Sequence, residues 1–140
     1  MTSKVAVAMR SLCLALVTSG CDETSAPGSA PVPAAVVAIL SISPVVLQPG
    51  DSLKIDYTVT NIGGVPRSFG ITVEIRRATA SVQVAATTTQ VLSPSAAWSG
   101  SANYTVPASN GAGTDTVRVL AWSGAPGTGQ LLHTASQTFT

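Results

Sequence analysis

The chain has 140 residues, 45% of them hydrophobic and only 9% charged, with a formal net charge of +1. Two cysteines and a single adjacent basic pair, Arg76-Arg77, exclude a disulfide scaffold and a basic nucleic-acid surface. High apolar content with little net charge is also the reverse of the composition that keeps a chain disordered. The first segment, residues 1–20, is laid out as a secretory signal. Lys4 and Arg10 make it basic, residues 12–17 are apolar, and Thr18, Ser19 and Gly20 are small. The apolar run falls far short of the roughly 20 residues a spanning helix needs. Cleavage after Gly20 would remove Lys4 and Arg10, leaving five basic against six acidic side chains, a net of −1.

Ser19-Gly20-Cys21 resembles the lipobox of bacterial lipoproteins, although Thr18 stands where that family prefers an aliphatic residue. The resemblance implies that Cys21 is acylated and becomes the first residue of the mature chain. It further implies a lipid-anchored protein of the bacterial cell envelope, held to a membrane by N-terminal acyl chains. The alternative reading of Cys21 is a free thiol at an ordinary signal-peptide cut. Cys13 lies in the discarded segment, so the mature chain has no internal disulfide. Residues 21–35 comprise Cys21 and a Pro/Ser/Ala-rich linker over 22–35, whose reach is about 20 Å if flexible.

Residues 36–140 are expected to form one all-β domain of seven to eight antiparallel strands, since no helical periodicity of useful length appears. The predicted strands are 36–43, 53–60, 69–77, 82–86, 87–92, 98–106, 115–122 and 131–139. The second is the clearest. Leu53, Ile55, Tyr57 and Val59 alternate with Lys54, Asp56, Thr58 and Thr60, which separates an apolar from a polar face. In the third, Ile71, Val73 and Ile75 point inward and Thr72, Glu74 and Arg76 outward. Turn residues separate the strands: Gln48-Pro49-Gly50, residues 61–66, Pro94, residues 107–113 and residues 123–129. Trp98 is assigned to the core, with Tyr57 and Tyr104 as partly buried companions.

The run from Ile55 through Asn61-Ile62-Gly63 resembles the opening of CARDB-type bacterial adhesion-related domains and their immunoglobulin-like relatives. Leu92-Ser93-Pro94 before Trp98, and the strand from Thr114 to Val119, fall where that pattern expects them. The resemblance implies a single immunoglobulin-like β-sandwich and an adhesion-like role. Its motifs are turn and core residues and carry no activity. Trp122-Ser123 replaces the acidic residue those domains often show, so a metal contact does not carry over.

No residue set suited to catalysis, a cofactor or a metal emerges. His133 is the only histidine and lies in a predicted strand, without a nucleophile or a His-x-x-x-His spacing beside it. The acids Asp51, Asp56, Glu74 and Asp115 sit on separate elements. The Gly-rich segments at 111–113 and 124–129 lack a following helix and lysine. The chain is therefore expected to be non-catalytic, with no cofactor. The candidate partner surface is one sheet face carrying Arg118, Leu120 and Trp122 beside Thr72, Glu74 and Arg76, read as an exposed aromatic, an aliphatic and two arginines. Two functions follow: a structural or protein-interaction module for an envelope protein, or a carbohydrate-binding module stacking a glycan on Trp122 or Trp98. The structural alternative for Trp122 is that it folds against residues 123–129 and covers a core edge.

Overall fold

Alternation of β-favouring apolar residues with Thr, Ser and charged residues produces strands that are greasy on one side only. The computed structural model describes residues 34–77, 82–108 and 113–140. Cys21, the signal and nearly all of the linker lie outside the described residues. Among the described residues seven strands form in chain order: β1 (Ala35–Ser43), β2 (Ser52–Asn61), β3 (Arg67–Arg76), β4 (Val82–Leu92), β5 (Ala97–Thr105), β6 (Asp115–Ser123) and β7 (Leu131–Phe139). They pair antiparallel throughout, in a three-stranded sheet β1-β2-β5 and a four-stranded sheet β4-β3-β6-β7. No helix among the described residues is long and apolar enough to cross a membrane.

The two sheets meet through their apolar faces. Leu53, Ile55, Tyr57 and Val59 of β2 face Ile71, Val73 and Ile75 of β3 and Val117, Val119 and Ala121 of β6, all buried in one core. Full burial of each such aliphatic contributes about 1.5–3 kcal/mol. The expected roles of the aromatics are exchanged: Tyr57 and Tyr104 are buried in the core, whereas Trp98 is half-buried and packs against it. Burial pushes the Tyr57 hydroxyl pKa up. Its ring meets Trp98 edge-on, with centroids 5.8 Å apart and planes at 66°. Gly100, opposite Tyr57 in β5, leaves the space in which these rings interlock, since a Cβ there would meet both.

Two expectations are corrected. Residues 82–92 form one strand, not two, and pair with β3 along their whole length. The apparent break is a β-bulge: Val73 pairs with Ala86 and Glu74 with Val84, so Ala85 is extra and the inward-outward phase flips there. The first strand also begins at Ala35, which is buried. One side of the assembly is closed. Val37 N–H donates to His133 Nδ1 at 3.2 Å, Leu47 N–H to Thr140 O at 2.8 Å and Thr140 N–H to Val45 O at 3.0 Å, so β1 and its following turn are tied to β7. On the other side β4 and β5 end their respective sheets.

Candidate functional site

Register alone brings the predicted face together. Across β3 and β6, Gly70 lies opposite Trp122, Thr72 opposite Leu120, Glu74 opposite Arg118 and Arg76 opposite Thr116. Because side chains alternate, these eight residues share the outer face of the four-stranded sheet. Arg118 Nη1 donates to Glu74 Oε1 at 2.9 Å, and both side chains are largely screened from solvent, at 24% and 14% exposure. The Trp122 indole N–H donates to Thr72 Oγ1 at 3.2 Å, reaching diagonally to the residue two beyond its own partner Gly70. Arg76 stands exposed at the end of the face. Its neighbour Arg77 turns the other way and pairs with Asp115 at 3.4 Å.

The expected exposed aliphatic is not there. Leu120 is 5% exposed and Thr72 8%. The middle of the face, where Thr72 lies opposite Leu120 and receives the indole bond, is therefore closed to solvent. Trp122 itself is half-buried. Its single N–H is used inside the molecule, and indole has no second polar atom to offer a ligand.

Residues 124–129 fold over the same face. A Cβ on Gly70 would meet Pro126 N, lie 2.5 Å from Gly124 O and lie 2.6 Å from Ala125 C, so the loop backbone rests directly on the bare Gly70. Gly124 N–H donates to Ser68 O at 3.1 Å, and Gln130 N–H to Ser123 Oγ at 3.0 Å. Gly124 and Gly127 take φ of 92° and 74°, the left-handed region that favours glycine. Trp122 thus lies next to this loop in sequence and opposite its floor residue in register. Exposed aliphatics flank the covered centre: Val82, Val84 and Val91 on β4, and Leu131 on β7.

A second surface escaped the sequence reading, which placed Asp56 only on the polar face of the second strand, apart from the other acids. The outer face of the three-stranded sheet holds an open depression of about 540 Å³ lined by Leu40, Ser41, Lys54, Asp56, Ser99 and Ser101, among others. Asp56 accepts from Ser41 Oγ and Lys54 Nζ, each at 3.1 Å. The bonds from Lys54 and then Ser101 hold its carboxyl below the usual carboxylate range. The available signal was Lys54 and Asp56 two apart on one strand, hence on one face. Leu40, Tyr57 and Gly100 complete the lining of the depression, so polar groups and apolar surface meet there. Elsewhere His133 is a half-buried joint between β1 and β7. Asp51 closes its own turn by accepting from Gln48 N–H at 2.7 Å. Among the described residues no three His, Cys, Asp or Glu side chains come together as a metal site.

No family model matches the chain, and no curated protein does. The fold is similar to segments of solved structures. One is a β-glucosidase from Listeria innocua, with a TM-score of 0.56 and 16% identity, covering 76% of this chain and 16% of that one. Another is a β-glucuronidase from Bacteroides uniformis, with a TM-score of 0.54, 15% identity and coverage of 75% and 12%. A third is the alkylpurine DNA glycosylase AlkC from Pseudomonas fluorescens, bound to DNA containing an abasic site analog, with a TM-score of 0.53, 17% identity and coverage of 73% and 30%. This chain therefore spans less than a third of any of these three proteins. Likeness at such identity describes the fold alone, and it is spread over proteins with different activities.

Proposed function

We propose that this chain is a lipid-anchored, non-catalytic module of the bacterial cell envelope that binds another protein, built as an immunoglobulin-like sandwich. Support for the immunoglobulin-like reading comes from strand order. In the constant-type arrangement the first, second, fifth and fourth strands form one sheet and the third, sixth and seventh the other. Here the fourth strand has moved across to pair with the third, and the remaining order is kept. The observation that favours protein over glycan is the state of the two tryptophans. Trp98 is half-buried with its ring edge-on to Tyr57 against the core, and Trp122 spends its N–H on Thr72 and is half-buried. Neither offers the flat, open ring on which a sugar stacks. The face around Trp122 instead combines a screened Glu74–Arg118 pair, an aromatic centre and an aliphatic rim, the mixture of protein interfaces.

Two measurements test this reading. Trp122→Ala removes the centre of the face. Partner capture on the full chain should weaken at least tenfold, as at an interface hot spot, while circular dichroism still reports β structure. Undiminished capture rules the face out, and lost binding to a glycan array in its place turns the reading to carbohydrate. The anchor is tested separately. Cys21→Ser should move the protein from the membrane to the soluble fraction, because each buried acyl methylene contributes about 0.8 kcal/mol. Mass spectrometry of the parent should find acyl chains on Cys21. An unmodified Cys21 at the mature N-terminus removes the anchor from the proposal.

A further inference from the structure

We infer that β4 is a pairing edge for a second copy of this chain, joined antiparallel about Thr89. The inference goes beyond the sheet-face reading and does not depend on the anchor. Four strands end sheets in this fold, and they are not equally available. β1 and β7 are tied to each other by the His133 contact and by the backbone bonds of Val45, Leu47 and Thr140. β5 is nine residues long and contains Gly100 and Asn103, residue types that weaken a strand. β4 is eleven residues long, with no charge, Pro or Gly, and with six β-branched residues: Val82, Val84, Thr87, Thr88, Thr89 and Val91. Soluble proteins blunt such edges with Lys, Pro or a covering element. Among the described residues β4 has only its bulge at Ala85.

The same residues say what pairs there. An uncharged edge gives a partner of opposite charge nothing to read, and gives an identical strand nothing to repel. Beyond the bulge, residues 86–92 run regularly against β3. A two-fold axis through Thr89, perpendicular to the sheet, sets Thr89 beside its own copy and Thr87 beside the copy's Val91, all on the outer face. Thr–Thr and Thr–Val are favourable cross-strand pairs. Val91, 73% exposed in one copy, then gains a neighbour. Glu74 and Arg76 pair with Val84 and Val82 across the bulge, so they lie outside the joined run. The result is one continuous sheet made from two four-stranded sheets.

Antiparallel partners lie about 4.5–5.5 Å apart at Cα, within reach of a disulfide. The test is cysteine crosslinking of the full chain in intact bacterial cells, with the parent chain and Ser101→Cys on β5 as background. Thr89→Cys should give a reducible dimer of twice the chain mass. Thr87→Cys and Val91→Cys should give none alone and a dimer when expressed together. Thr89→Lys should weaken dimerisation of the purified chain at least tenfold in sedimentation equilibrium, with an unchanged circular-dichroism spectrum. Crosslinking at Thr89 no stronger than at Ser101 overturns the inference. So does an adduct between Thr89→Cys and a different protein, which would make the edge a site for that protein.

Discussion

Asn61→Ala will unfold this domain more readily than any single aliphatic truncation of its core. Asn61 is 0% exposed, the only fully buried polar side chain among the described residues. Its Nδ2 donates to Val65 O and Leu92 O, each at 2.9 Å, and its Oδ1 accepts from Gly63 N–H at 2.8 Å. The backbone joins in, with Asn61 N–H donating to Ala96 O and Ser95 N–H donating to Asn61 O. One amide thus fastens the β2–β3 turn to the turn after β4. Alanine leaves two carbonyls and one N–H without this partner, the Leu92 carbonyl in a buried site and the Val65 and Gly63 groups in part-buried ones. Each fully orphaned group costs about 1–3 kcal/mol, and water can reach the two part-buried ones, so the expected loss is about 3–6 kcal/mol rather than the full sum, against a total stability of about 5–15 kcal/mol. Thermal unfolding should show a fall in Tm of more than about 10 °C. Asn61→Asp separates bonding from shape. It is nearly isosteric, but its carboxylate cannot donate to two carbonyls. The folded state disfavours that charge, so the variant's folded pKa lies above its unfolded one. Its stability relative to the parent should then recover as pH falls through the carboxylate range. An Asp variant equally weak at about pH 7 and about pH 4 would point to shape, not hydrogen bonding.

What could be read in advance follows from which physical signal each element carries. β2 was legible because Leu53, Ile55, Tyr57 and Val59 alternate with polar residues without interruption. The face of β3 and β6 was legible for the same reason: period-two patterning sets which side chains share a side, and pairing of those two strands brings Arg118 to Glu74. β4 was misread because a bulge shifts the phase at Ala85, and a phase shift looks like a strand end when no partner is known. The burial of Leu120, on the outward phase of β6, was not legible at all. Nor was the Trp122–Thr72 bond, a contact between residues 50 apart that no local pattern encodes. Asn61 was recognisable as a turn residue within Asn-Ile-Gly. That its side chain also holds the carbonyl of Leu92, 31 residues away, requires the tertiary structure. The Asp56 depression needed β1 and β5 placed on either side of β2 before its hydroxyls could converge.

Gly70→Val should strike the candidate surface without emptying the core. Gly70 sits on the outer face, so its substitution leaves Phe69 and Ile71 pointing inward as before. The new Cβ would overlap the backbone of Gly124, Ala125 and Pro126. Backbone held by hydrogen bonds cannot give way as a side-chain tip can, so residues 124–129 must lift off the sheet. The Gly124–Ser68 bond is the first to break. Overpacking of this kind costs about 1–3 kcal/mol, and valine's β propensity recovers only part of it. Trp122, opposite Gly70, then loses the loop beside it, and its fluorescence should shift to the red while Trp98 stays beside Tyr57. Single-Trp backgrounds, Trp98→Phe and Trp122→Phe, assign the shift. The interaction-face reading adds that Gly70→Val should abolish partner capture at temperatures where circular dichroism still reports folded strands. Capture that survives a displaced loop and a re-exposed Trp122 would leave the tryptophan only its structural bond to Thr72, and would move the search for the partner site to the opposite sheet and its Asp56 depression.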